Sequence, residues 1–69
     1  MKATMVEFLN DNNRWVWYRV SISKSPKQAI KDYLKEHYKP KDIKWKIEKV
    51  GIEYYYDDIV RAYRIDIEE

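Results

Sequence analysis

One histidine, His37, and one adjacent carboxylate pair, Asp57-Asp58, are the residues of this chain best suited to move protons or hold a metal. Neither has the company such chemistry needs. His37 falls on or beside the apolar stripe of a predicted helix. Tyr33 and Lys41 stand four before and four after it, where a metal site would want a carboxylate. Asp57-Asp58 lies between two alternating stretches, and turn chemistry accounts for both residues. Ser21, Ser23 and Ser25 are strand and cap residues with no evident base. No glycine-rich phosphate loop and no nucleophile elbow occurs. The chain has no cysteine, hence no disulfide and no thiolate zinc site. The expectation is a protein that is not an enzyme and carries neither cofactor nor metal.

What the chain does have in quantity is aromatic and basic side chains. Phe8, three tryptophans and seven tyrosines are too many for the interior of a 69-residue domain. A domain of that size hides only about 60% of its unfolded surface, so several rings must lie outside. The net charge of +2 is unevenly spread. Residues 24–49 carry nine lysines against four carboxylates, while residues 50–69 carry two arginines against six. No run of five like charges marks a disordered tail. The longest apolar run, Trp15-Val16-Trp17-Tyr18, is too short to span a bilayer or form a signal-peptide core, so a cytoplasmic location is expected. Frequent Lys, Ile and Tyr with scarce Gly and Ala suggest AT-rich coding, as in a low-GC bacterium or its mobile elements.

The elements that position these side chains follow from local signals. Ser25-Pro26-Lys27-Gln28 is a helix entrance, with a hydroxyl at the N-cap, proline at the first position and glutamine at the third. The helix should run from Pro26 to Tyr38, with Ala29, Ile30, Tyr33, Leu34 and His37 as its apolar stripe. Before it, residues 3–10 and 14–23 alternate as a hairpin around the three-residue loop Asp11-Asn12-Asn13, with Asn13 left-handed. That register pairs Phe8 with Val16, Val6 with Tyr18 and Thr4 with Val20 on the core face. Met5, Glu7, Leu9, Trp15, Trp17 and Arg19 take the other face. After the helix, residues 42–56 and 59–68 read as two strands joined by a two-residue loop at Asp57-Asp58. Tyr56 then pairs with Ile59, which sends Ile59, Tyr63, Ile65 and Ile67 inward and Val60, Ala62, Arg64, Asp66 and Glu68 outward. The change of phase between Ile47 and Val50 predicts a β-bulge near Gly51.

The predicted fold is α+β and a single domain over residues 1–69, ββαββ, with a four-stranded mixed sheet and the helix on one face. The order of elements resembles the protein-G-like β-grasp layout. That resemblance implies parallel terminal strands at the centre of the sheet and strands two and three at its edges.

With the helix covering one side, Met5, Leu9, Trp15, Trp17, Arg19, Tyr55, Val60, Ala62 and Arg64 should converge on the open side. A contiguous apolar patch of this kind is uncommon on a monomer, and Trp, Tyr and Arg are favoured at binding hot spots. The plainer reading is cross-strand stacking that stabilises a thin sheet. A second candidate is an anion-binding side made of Lys24, Lys27, Lys31, Lys35, Lys39, Lys44 and Lys46. Its plainer reading is a solvated helix face and lysines guarding an edge strand. The expected function is that of a small non-enzymatic binding or regulatory protein, of the inhibitor or adaptor kind that mobile elements encode. It would contact a protein partner, or a second copy of itself, through the aromatic face. The alternative is a nucleic-acid-binding module using surface Trp, Tyr and Arg or the lysine-rich helix side. No membrane partner is expected.

Overall fold

The computed structural model describes residues 1–67 and orders them as two strands, a helix and three further strands. These are β1 (Lys2–Leu9), β2 (Trp15–Ser21), α1 (Pro26–His37), β3 (Ile47–Val50), β4 (Glu53–Tyr56) and β5 (Val60–Asp66), with a single 3-10 turn at Pro40–Asp42. The sheet runs β2-β1-β5-β4-β3 and every neighbouring pair is antiparallel.

This corrects the four-stranded mixed sheet, and the cause is Gly51. Its φ of 62° lies in the left-handed region, and Val50 stands opposite Glu53 across it. Glycine at the first central position of a two-residue turn reverses a chain tightly. The change of phase that predicted a bulge is therefore a hairpin. One added reversal inverts the last strand, so β5 meets β1 antiparallel and the β-grasp layout is not adopted. The segment 43–46 before β3 is irregular and carries Trp45 at φ 57°, which keeps the predicted strand from starting at residue 42. The predicted position of Glu68 on the last strand lies outside the described residues.

The helix forms where its cap places it. The Ser25 hydroxyl accepts from the Gln28 amide at 3.2 Å, and Pro26 fills the first helical position. The chain turns extended at Tyr38, one residue earlier than expected. Ala29, Ile30, Tyr33 and Leu34 pack on Val6, Tyr56, Val60 and Ala62, with Ile43 closing the cluster. The fully buried Thr4 hydroxyl donates to the Lys24 carbonyl at 2.6 Å and ties β1 to the approach of the helix.

Two one-residue shifts set which side chains meet. In the first hairpin the loop is as expected, with Asn13 at φ 59° and Phe8 opposite Val16. The Asn10 carboxamide oxygen accepts from the amides of Asn12 and Arg14 and holds that loop. A register shift between Val6 and Glu7 then puts Val6 opposite Arg19 and Thr4 opposite Ser21. In the last hairpin Asp57 and Asp58 are both left-handed, at φ 52° and 56°, and the Ile59 amide donates to the Tyr56 carbonyl at 3.0 Å. The ladder resumes one residue late, with Tyr56 opposite Val60, and that slip turns over every side chain of β5.

Candidate functional site: the uncovered sheet face

Alternation from the observed registers decides which predicted site residues come together. Met5, Leu9, Trp15, Trp17 and Tyr55 lie on the face away from the helix. Four others do not. Val60 and Ala62 are 1% and 0% exposed in the core beneath the helix, because the β5 slip reverses their direction. Arg64 stands opposite Thr4 and faces the helix side for the same reason. Arg19 is turned to the helix side by the shift in the first hairpin, and its guanidinium donates to both oxygens of Glu36 at 3.0 and 3.2 Å.

Their places on the uncovered face are taken by residues the alternation had hidden. The same slip brings Arg61, Tyr63 and Ile65 outward, and the shift in β2 brings Val20 opposite Met5. Arg61 is the hub. Its Nε donates to Glu7 Oε1 at 2.7 Å, and its Nη1 lies 3.9 Å from Glu53 Oε2. The guanidinium sits 4.2 Å from the Trp15 ring centre and 5.9 Å from that of Tyr63. Tyr55 meets Trp15 edge to face at 6.1 Å, and its hydroxyl donates to Glu53 at 3.1 Å. The turn at Asp57-Asp58 was the visible signal for this set, since two left-handed residues there leave room for the extra one.

Electrostatics fix the hub in its charged form. Burial pulls the Arg61 guanidinium toward losing its proton, but bonds to Glu7 and Tyr55, with the charges of Glu7 and Glu53, more than offset this and raise its pKa. Burial, then the neighbouring Glu7 carboxylate, pushes the Tyr63 phenol up. The charged groups at the centre are thus engaged with one another. Trp17 stands outside the network, 59% exposed. Such a face can make contacts.

The lysines are split among separate places. Lys24 is paired with Asp32. Lys27, Lys31 and Lys35 follow the outer side of α1 at four-residue spacing, and Lys39 is exposed just beyond it. Lys44 and Lys46 line a cleft of about 360 Å³ that they share with Glu48, Asp57 and Asp58. They lie on the irregular approach to β3 rather than in the edge strand expected for them.

His37 stacks on Tyr33 with ring centres 4.2 Å apart, and its Nδ1 lies 2.9 Å from the Tyr33 carbonyl. It belongs to an aromatic group with Tyr18 and Phe8. Among the described residues no three His, Asp or Glu side chains are grouped to hold a metal, and no helix is long and apolar enough to cross a membrane. Compared with protein-family models, with curated proteins and with solved structures, the chain matches none.

Proposed function

We propose that this chain is a small non-enzymatic binding protein that meets a protein partner, foreign or a second copy, through the uncovered sheet face. The observation that carries this reading is an aromatic surface with no second layer over it, organised around a charge-paired arginine and bearing an exposed Trp17. Trp, Tyr and Arg at the middle of a patch, with charge already paired, are what a desolvated protein contact needs. The nucleic-acid alternative is disfavoured on this face. Arg61 is taken up by Glu7 and Glu53, Arg19 by Glu36 on the opposite side, and Arg64 lies elsewhere. No cation in the network is left to follow a phosphate backbone.

Trp17→Ala and Trp15→Ala separate contact from stability. Trp17→Ala should unfold within about 0.5 kcal/mol of the parent, as a surface change does, yet abolish association. Trp15→Ala removes the ring on Arg61 and Tyr55 and should cost about 2 kcal/mol in urea unfolding. Sedimentation velocity reads self-association, and affinity capture from cell extract with parent and variant as matched baits reads a foreign partner. A parent that stays monomeric at micromolar concentrations and captures nothing that the Trp17→Ala bait loses would sink the reading.

A further inference from the structure

The helix does not cover the whole of its own side of the sheet. Beyond Pro26, its first residue, a cleft of about 380 Å³ opens over the end of the sheet. That volume lies in the ordinary range of small-ligand pockets, roughly 300–1,000 Å³. Three cations reach it from three strands: Lys2 of β1, Lys49 of β3 and Arg64 of β5. One carboxylate answers them, since Asp66 holds Lys2 at 3.0 Å, while Lys49 and Arg64 have no ion-pair partner among the described residues. Like charges gathered on one open cleft raise a positive potential there, strongest at low salt. The remaining lining is flat and apolar. The Lys49 ammonium lies 5.7 Å from the Tyr54 ring centre, and Ile52 beside it is 75% exposed.

A single carboxylate would satisfy one of these cations. A phosphate monoester carries nearly two charges and three oxygens on one centre, and a guanidinium fork with lysines beside it matches that group. A ring attached to the phosphate can lie along Tyr54 and Ile52. We propose that this cleft binds a phosphomonoester carried on a flat ring, the chemistry of a nucleotide, supplied free or as the phosphorylated end of a nucleic-acid strand. The site is separate from the aromatic face and stands whether or not that face binds a protein.

Titration at low salt, followed by backbone amide shifts, tests it with four probes: inorganic phosphate, a nucleoside, its 5′-monophosphate and a 5′-phosphorylated single-stranded oligonucleotide. The monophosphate should shift residues around Tyr54 and Arg64 and bind more tightly than phosphate or nucleoside alone. Arg64→Gln and Lys49→Gln should each weaken it about tenfold, the loss of one charged hydrogen bond. Both side chains are exposed, so the variants keep the fold, which circular dichroism verifies. Lys31→Gln, on the outer side of the helix, should change nothing. Tighter binding of the oligonucleotide through the same two residues assigns the source to a strand end, and equal or weaker binding assigns it to the free nucleotide. The proposal is overturned if no phosphate probe binds, if Lys31→Gln weakens binding as much as Arg64→Gln, or if inorganic phosphate binds as well as the nucleotide.

Discussion

Arg61 organises the uncovered face because it meets three partners at once: a carboxylate at 2.7 Å, an indole at 4.2 Å and a second carboxylate at 3.9 Å. Its side chain and that of Glu7 are only 22% and 15% exposed. Removing one charge strands the other in a poorly hydrated place. Arg61→Met should therefore cost about 2 kcal/mol in urea unfolding, somewhat less than a fully buried pair. Adding Glu7→Gln should recover part of the loss, and a double-mutant cycle measures how much. If the two changes add without coupling, the hub is a surface pair of little energetic weight. Arg61 was hidden from sequence reasoning by parity alone. Ile59, Tyr63, Ile65 and Ile67 are bulkier than the set containing Val60 and Ala62, and hydrophobic pattern favours bulk. The helix favours the reverse, because small side chains let it approach the sheet closely.

Among the elements, those with local signals were legible. The helix start, the three-residue Asn13 loop and the Phe8–Val16 pairing follow from a few neighbouring residues each, and they appear as expected. The two register shifts and the fifth strand were not. A bulge between Val6 and Glu7 answers to how β2, β1 and the helix fit together, which no single segment encodes. Gly51 was singled out as the one glycine in the chain, but its left-handed φ serves a reversal and not a bulge. A methyl group built on Gly51 meets nothing within 4 Å, so Gly51→Ala carries only the conformational cost. That cost is about 1 kcal/mol. A thermal melt should show a modest loss with no change in the amide shifts of the helix. A large loss would mean the turn also carries packing. Of the predicted docking set, the part resting on the first hairpin was legible apart from Arg19, while Val60, Ala62 and Arg64 were lost with the slip at Ile59.

For the molecule as a whole, two ion-paired clusters fasten the helix to its surroundings. Lys24 holds Asp32, while Tyr18 and Arg19 of β2 hold Glu36. The bond from Lys24 keeps the Asp32 carboxyl below its ordinary range, and bonds from Tyr18, then Arg19, do the same for Glu36. A depressed folded-state pKa means that the unfolded chain takes up protons more readily. The contribution is complete above the unfolded value, near 4, and fades as pH falls through the lower folded value. Asp32→Asn and Glu36→Gln should thus lower the urea midpoint at pH 6 and differ little from the parent at pH 3. A gap of equal size at both pH values would show that ionisation of these groups is irrelevant to stability.

Strand β1, one place in from the β2 edge of the sheet, draws one neighbour from the next segment of chain and the other from β5, the last strand described. Vectorial synthesis therefore delivers the first hairpin and the helix long before β5 exists to complete them. In that interval one side of β1 is an unoccupied row of amides and carbonyls, with Val6 and Phe8 beside it. Such an edge invites pairing between nascent copies, and seams of high sequence separation are slow to close. A chain interrupted before Val60 is thus left as an aggregation nucleus rather than a smaller folded protein.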